Sequence, residues 1–174
     1  MLRIFINTWG NYNENGADGG EWVQLPIDAD ELDEKMNALA EAMGDLDPEW
    51  FINDYEWTID DSLRKIEENE DIFELNEEME KLDELDDYEQ KILMAAVQVW
   101  GYEYIDIDDL DDYCLYENIE TDFDLGYYWI EESGCYDLNK MGNLKNYIDY
   151  EAFGRDVRLE SDGGFCDYGW IERC

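Results

Sequence analysis

Apolar side chains follow a strand period at the start of the chain. Residues 2–8 alternate and are rich in β-branched side chains, which predicts a strand. The Gly- and Asn-rich residues 10–20 predict a loop, and residues 21–27 predict the strand that returns from it. The aromatic-rich stretch 49–58 predicts a third strand.

A helical period begins after the second of these strands. Asp28 is a suitable N-cap, and Gly44 is a plausible end of the helix. Four apolar side chains recur at helical spacing between them: Leu32, Met36, Leu39 and Met43. Residues 1–60 are therefore predicted to form a small sheet-plus-helix domain.

The middle of the chain is predicted to be helical throughout, with helices at 60–69, 70–85 and 86–100. The second of them carries one apolar stripe, made of Ile72, Leu75, Met79 and Leu82. Glu70, Glu74 and Glu78 lie at i, i+4 on another side, where each like-charge pair costs about 0.2–0.5 kcal/mol. This helix is not optimised for its own stability, and residues 61–103 are predicted to form a central helical domain.

The remainder, residues 104–174, returns to mixed structure. It begins with an acidic run at 106–112. A strand at 114–116, helices at 122–133 and 143–153, and a closing hairpin around 162–164 are predicted to follow. The fold class is therefore α+β, with sheet-plus-helix ends around a helical middle.

Charge changes this picture more than any motif does. The 174 residues include 49 Asp and Glu, 11 Lys and Arg and no histidine, for a formal net charge of -38. Duplex DNA would spread that charge over about 65 Å of helix, whereas a compact globule of this length spans roughly 40 Å. Either the fold is elongated or it is more densely charged than DNA, and its partners should be cationic surfaces.

The charge is unevenly placed. Residues 1–139 hold 42 acids and 6 bases, whereas residues 140–174 hold 7 acids and 5 bases. The near-neutral tail is therefore expected to have a different role. Seven Trp, 13 Tyr and 6 Phe in a 45% apolar composition argue for a folded chain rather than a disordered acidic one.

The four cysteines form no CxxC pair, and without histidine the usual Cys/His zinc sites are excluded. We expect four reduced thiols. No leader-like segment and no apolar run of 18 residues occurs, which predicts a cytoplasmic protein that does not bind membranes.

Catalytic chemistry finds no support in the sequence. Without histidine, Ser-His and Cys-His catalysis are excluded, and no phosphate loop or dinucleotide fingerprint is present. Asp106, Asp108 and Glu117 fit three positions of an EF-hand loop, but Leu110 and Asp111 occupy the fifth and sixth positions. Carboxylate pairs arise by chance in so acidic a chain. We therefore predict no enzyme, no metal, no cofactor and no small-molecule substrate.

The tail carries a distinctive stretch, Tyr147-Ile-Asp-Tyr150 followed by Phe153-Gly-Arg-Asp156. By itself it predicts an amphipathic helix that packs Leu144 and Tyr147 inward and ends at Gly154. A strand with Val157 and Leu159 is expected to follow.

The same stretch resembles the antirestriction motif of the ArdA antirestriction proteins. Further stretches are similar to that family: Ile4 to Asn7, Gly10 to Glu14, Trp22 with Leu25 to Asp28, Asn53 to Glu56, and Tyr128 to Gly134. The resemblance covers nearly the whole chain and is weakest between about 60 and 115. The segment Cys166 to Cys174 is interpreted as an extension beyond the family pattern.

The resemblance implies an elongated three-domain protein, with its C-terminal domain at 104–174, that forms a homodimer through that domain and imitates bent B-form DNA. It implies binding in the DNA-binding groove of type I restriction-modification enzymes, no binding of nucleic acid, and a role in protecting a mobile genetic element. By match to the motif, self-association and antirestriction would involve Leu144, Tyr147, Asp149, Tyr150, Gly154, Arg155 and Asp156. We expect Arg155, paired with Asp149 or Asp156, to order a turn.

The acidic clusters of the body are the predicted DNA-mimic surface. Its members are Asp28, Asp30, Glu31, Asp33, Glu34, Glu67, Glu70, Glu74, Glu77, Glu78, Asp83, Asp87, Asp106, Asp108, Asp109, Asp111, Asp112, Glu120, Asp122 and Asp124. Three other interpretations stay open: an acidic mimic or chaperone aimed at a CRISPR nuclease, a repressor or a histone-like protein, a halophilic protein, and a metal-dependent hydrolase.

Overall fold

The computed structural model describes residues 1–58 and 63–174, which form two compact units, Met1–Leu85 and Asp86–Cys174. Both units mix helices and strands, so the α+β class is confirmed. The helices of the predicted central domain at 61–103 fall in different units, and the division into three domains stays a prediction. None of the helices in the described ranges has the length and apolar character needed to cross a bilayer.

The first unit is built on a three-stranded antiparallel sheet in the order β2-β1-β3. The strands are β1 (Leu2–Thr8), β2 (Glu21–Leu25) and β3 (Trp50–Trp57), all at predicted positions. Leu2, Ile4 and Ile6 alternate along β1 and are completely buried, so they lie on one buried face of the strand. The predicted strand pattern therefore corresponds to the core side of this sheet.

A short helix, α1 (Trp9–Asn15), occupies part of the predicted loop at 10–20, so that prediction was wrong there. The Thr8 hydroxyl caps it by accepting a hydrogen bond from the Asn11 N–H at 3.1 Å. The Asn11 side-chain Nδ2 donates to Oδ1 of the buried Asn7 at 2.8 Å. The Trp9 ring also stacks on Phe51 with ring centroids 4.1 Å apart. These contacts outweigh the weak helical tendency of a Gly- and Asn-rich stretch.

The helix α2 (Ala29–Met43) begins after Asp28 and ends at Gly44, as predicted. The following helix of the unit is α3 (Ile72–Glu84), whose predicted apolar stripe is buried. No helix forms at 63–69, so the helix predicted at 60–69 was wrong over the described residues, and its start lies outside them. That segment instead runs beside β3, where the Ile52 N–H donates to the Glu68 carbonyl at 2.8 Å.

The second unit has a sheet in the order β4-β6-β5, also antiparallel. Its strands are β4 (Tyr113–Tyr116), β5 (Gly163–Cys166) and β6 (Gly169–Arg173), and its helices are α4 (Asp87–Trp100), α5 (Asp122–Tyr127) and α6 (Tyr150–Glu160). A π-helical turn at Tyr128–Glu132 extends α5, and 3-10 turns occur at 102–104, 107–112, 138–140 and 142–147. Trp170, Leu125 and Ile119 form the centre of a buried apolar cluster.

The tail differs from its prediction in three respects. The α-helix begins after Asp149, whose carboxylate accepts from the Ala152 N–H, so residues 150–153 of the predicted helix at 143–153 are α-helical and residues 143–147 are 3-10 instead. Gly154 lies inside α6 and does not end it, and Val157 and Leu159 are helical rather than extended. The closing hairpin turns at 167–168, not at 162–164.

Two of the four cysteines form a disulfide, so the expectation of four reduced thiols was wrong for Cys114 and Cys174. The pairing of β4 with β6 sets Tyr113 opposite Arg173 and brings the two Cα atoms of the disulfide to 6.0 Å, within the usual range for such a bond. Cys135 and Cys166 are free thiols.

Candidate acidic interaction surface

The predicted acidic residues divide into two groups by exposure. Sixteen of the twenty are exposed, and four are half-buried: Glu70, Glu78, Asp122 and Asp124. Each half-buried carboxylate accepts a hydrogen bond from a side chain of its own unit. Burial of an unpaired carboxylate is costly, so these four carboxylates are part of the internal structure, while the other sixteen lie on the surface.

The first turns of α2 hold five of the exposed acids. Asp28 caps the helix, because its Oδ1 accepts from the N–H groups of Asp30 at 3.0 Å and Glu31 at 3.2 Å. Leu32 is fully buried beneath them, which turns Asp33 and Glu34 outward. Negative charge near a helix N-terminus is favourable, so this cluster is compatible with a stable helix.

The exposed acids of α3 surround its buried stripe: Glu77 lies opposite the stripe, and Glu74 and Asp83 lie on its two sides. Leu75 and Met79 are at most 2% exposed, whereas Glu74, Glu77 and Asp83 face solvent. Residues three or four apart on a helix are about 5–6 Å apart, a spacing of the same order as successive phosphates in nucleic acid. The helix therefore presents carboxylates at regular intervals from a packed base.

Arg64 binds two half-buried acids, Glu70 just before α3 and Glu78 within it. Its guanidinium donates two hydrogen bonds to Glu78, at 3.0 and 2.7 Å, and two to Glu70, at 2.9 and 2.8 Å. Burial has the largest single effect and would raise the pKa of Glu70, but the hydrogen bonds from Arg64 and from the Glu67 N–H, together with the Arg64 charge, outweigh it, and the pKa is lowered. This pairing was not predicted, since Arg64 lies in a segment that was expected to be helical.

The acidic run at 106–112 forms short 3-10 turns around the buried Leu110. Asp106 caps them through a hydrogen bond from the Asp108 N–H at 3.0 Å, and the other aspartates of the run are exposed. Within residues 1–58 and 63–174, no three carboxylate or thiol groups are placed to hold a metal ion. The spacing that resembled an EF-hand therefore does not assemble a site in the described residues.

Asp122 and Asp124, at the start of α5, are held by neighbours. Arg158 of α6 donates to both oxygens of Asp122, at 2.7 and 3.2 Å. This hydrogen bonding lowers the pKa of Asp122. The Thr121 hydroxyl donates to Asp124 at 2.6 Å.

Arg155 pairs with Asp156, one of its two predicted partners, but it lies within α6, so the expectation that it orders a turn was wrong. It lies on the exposed side of α6, with 56% of its side chain accessible, and its Nε is 3.8 Å from Asp156. The cation that joins the tail to α5 is Arg158, one helical turn later. The predicted inward packing was also wrong, because Leu144 is 72% and Tyr147 is 83% exposed.

A close helix crossing lies at the centre of this tail region. A Cβ added at Gly154 would lie 1.7 Å from the Asp122 carbonyl oxygen, and one added at Gly126 would lie 1.9 Å from the Tyr150 carbonyl oxygen. The two backbones can approach this closely only because both residues are glycine. A glycine inside a predicted helix was the available sequence signal for Gly126.

Three aromatic rings cover one side of the crossing. Tyr150 contacts Phe123 and Tyr127, with ring centroids 5.6 and 5.5 Å away. Its hydroxyl donates to Glu131, and this hydrogen bond raises the pKa of Tyr150. Phe123 and Tyr127 remain half exposed, so aromatic surface is accessible beside the crossing.

Comparison with protein families explains the combination. The family model described as antirestriction protein (ArdA) matches residues 4–172. The chain belongs to the ArdA family. A comparison with curated proteins found no match.

Membership of the ArdA family assigns the chain an antirestriction function, as an inhibitor protein directed at restriction enzymes. The ArdA match includes both units and almost all of β6. The segment from Cys166 to Glu172 therefore belongs to the ArdA region, and its interpretation as an extension was wrong.

Proposed function

We propose that this ArdA protein imitates B-form DNA and competitively occupies the DNA-binding groove of type I restriction-modification enzymes. The observation that carries the proposal is the exposure of sixteen predicted carboxylates on capped, packed elements of a chain with a net charge of -38. Arginine and lysine side chains that line a DNA-binding groove would bind these carboxylates in place of phosphates. No bond is made or broken.

Long-range attraction would dominate the encounter. Opposite potentials of this size raise association rates and make binding weaken as salt rises. Binding a folded mimic also avoids deforming a duplex, and a smooth 40–90° bend costs about 1–6 kcal/mol. A mimic with a bent arrangement of charge would therefore compete well against DNA that the enzyme must bend.

The tail would join two copies in a homodimer. Residues 140–174 carry a net charge of only -2, so contact there does not bring the acidic clusters together. Leu144 and Tyr147 of the motif are largely exposed apolar side chains, and Leu159 on α6 is 70% exposed. The motif residues would thus act in self-association, in an elongated cytoplasmic protein that protects a mobile genetic element.

Displacement of DNA tests the proposal. Purified protein is titrated against a fluorescent cognate duplex bound to a type I methyltransferase at moderate salt, with the mass of the protein in solution recorded alongside. Near-stoichiometric displacement by a dimer is expected. A folded protein that leaves the duplex bound would refute the type I target and favour another basic groove, such as that of a CRISPR nuclease, a repressor or a histone-like protein.

A matched pair of variants separates a defined surface from net charge alone. One variant neutralises three exposed acids of α3, Glu74→Gln, Glu77→Gln and Asp83→Asn. The other neutralises three exposed acids outside the clusters, Glu14→Gln, Glu41→Gln and Asp47→Asn. Both change the net charge by three, and only the first should weaken displacement strongly. Equal weakening would mean that net charge is sufficient.

A further inference from the structure

One cation of the first unit lies between acids that the sequence assigned to the contact surface. The Arg64 side chain is 21% exposed, and those of Glu70 and Glu78 are 22% and 23% exposed. Four hydrogen bonds of 2.7–3.0 Å join the three groups, two to each carboxylate. Paired, charge-assisted bonds of this kind are strong and fix the orientation of both partners.

The backbone around Arg64 is anchored from the other side. Its carbonyl oxygen accepts a hydrogen bond from the Trp57 indole at 3.1 Å, and the neighbouring Leu63 and Ile66 are 3% and 4% exposed. The guanidinium thus projects from a fixed segment beside β3. It is not a mobile surface cation that happens to meet an acid.

The two carboxylates belong to different parts of α3. Glu70 precedes the N-cap Asp71, and Glu78 lies in the second turn of the helix. Glu70 also accepts the Glu67 N–H at 2.5 Å. One guanidinium therefore connects the approach to α3 with the body of the helix, and it pairs with two acids that would otherwise repel each other.

We propose that Arg64 is a positioning residue of the acidic surface: it holds α3 so that Glu74, Glu77 and Asp83 face the partner, while Glu70 and Glu78 do not contact it. The inference rests on the proposed function, because it concerns the same surface. It also divides the predicted acids into those that bind a partner and those that hold the helix.

The direction in which Arg64→Gln changes binding distinguishes a positioning role from a simple effect of net charge. Arg64→Gln makes the chain more negative by one, so attraction to a basic groove alone predicts equal or tighter binding. Loss of positioning predicts weaker binding despite the added negative charge. Exposed ion pairs contribute modestly, so misplacing three should raise the half-displacing concentration about threefold to tenfold.

Lys65→Gln is the matched control. Lys65 is the next residue, its side chain is 72% exposed, and it pairs with the exposed Glu67. The substitution removes the same charge without disturbing the guanidinium, and displacement should stay at or above the parent level. Arg64→Lys keeps the net charge but loses the planar guanidinium that makes paired hydrogen bonds to both carboxylates, so it should weaken displacement. Lys65→Arg should leave displacement unchanged.

A second readout requires no restriction enzyme. Hydrogen exchange of α3 amides should be faster in Arg64→Gln and Arg64→Lys than in the parent and in both Lys65 variants. If the parent fails to displace DNA, the proposed function fails, while faster exchange would still support positioning of α3. Unchanged exchange, or displacement by the Arg64 variants as good as that by their Lys65 controls, would overturn the role of Arg64.

Discussion

The crossing of α5 and α6 makes Gly154→Ala the most informative single substitution for stability. An added Cβ would lie 1.7 Å from the carbonyl oxygen of Asp122 and 2.6 Å from the backbone nitrogen of Gly126. Ordinary contacts of a Cβ atom begin near 3.4 Å. Both colliding atoms are backbone, so no change of side-chain rotamer relieves them and the helices must move apart.

Two effects of opposite sign set the magnitude. Alanine is more favourable than glycine inside a helix by about 1 kcal/mol, which alone would stabilise the variant. Overpacking against side chains typically costs about 1–3 kcal/mol, and a collision between backbones lies at or beyond the upper end. We therefore expect a net loss of about 2 kcal/mol, which lowers Tm by about 4 °C or more.

Thermal unfolding followed by circular dichroism measures this change. Arg155→Ala, at the exposed neighbouring position of the same helix, is the control and should change stability by less than about 0.5 kcal/mol. Gly126→Ala should reproduce the loss from the other side of the crossing. A Gly154→Ala variant with the Tm of the parent or a higher one would refute the close approach.

Three further predictions concern other contacts. Asn76 is 2% exposed; it accepts a hydrogen bond from the Ile27 N–H at 3.0 Å and donates one to the Ile27 carbonyl at 2.8 Å. Asn76→Leu should therefore lower the free energy of unfolding, measured in urea, by about 2–3 kcal/mol, whereas Asn37→Leu at an exposed position should change it little. The hydrogen bond from Arg158 holds the pKa of Asp122 below its ordinary 3.8, so the pair stabilises the folded state above that pH, and the contribution is lost as the pH falls through the lowered pKa. Arg158→Gln should therefore be less stable than the parent at neutral pH and no less stable in strong acid, and a constant difference would contradict this pairing. Reducing agent should lower the Tm of the parent but not of Cys174→Ser, because the disulfide spans 60 residues and such links contribute about 2–4 kcal/mol.

Local sequence patterns were sufficient to predict an element and its buried face where that element buries only one side. The alternation of Leu2, Ile4 and Ile6 and the stripe from Ile72 to Leu82 correspond to buried faces, and Asp28 caps α2 as expected. These features depend on residues close in sequence. Their period identifies the element, and the element determines which side is buried.

Contacts between residues far apart in the chain could not be predicted from local sequence patterns. Gly154 was predicted to end a helix because glycine commonly does so, yet it lies within α6 because Gly126 meets it from α5. Arg155 and Arg158 are equally basic in the sequence, and only the packing of α6 on α5 decides which one meets Asp122. The disulfide likewise depends on the pairing of β4 with β6.

The internal pairs show how a fold can remain stable while it keeps a large excess of negative charge on its surface. Arg64 and Arg158 pair with three half-buried carboxylates, where an unpaired charge would cost most. Exposed acids need no such partner, because water and salt screen their repulsion. A lysine placed among them would add little stability and would weaken the field that a basic groove meets. Placing two arginines beside half-buried carboxylates while most of the predicted acids stay exposed therefore serves folding and the proposed mimicry at once.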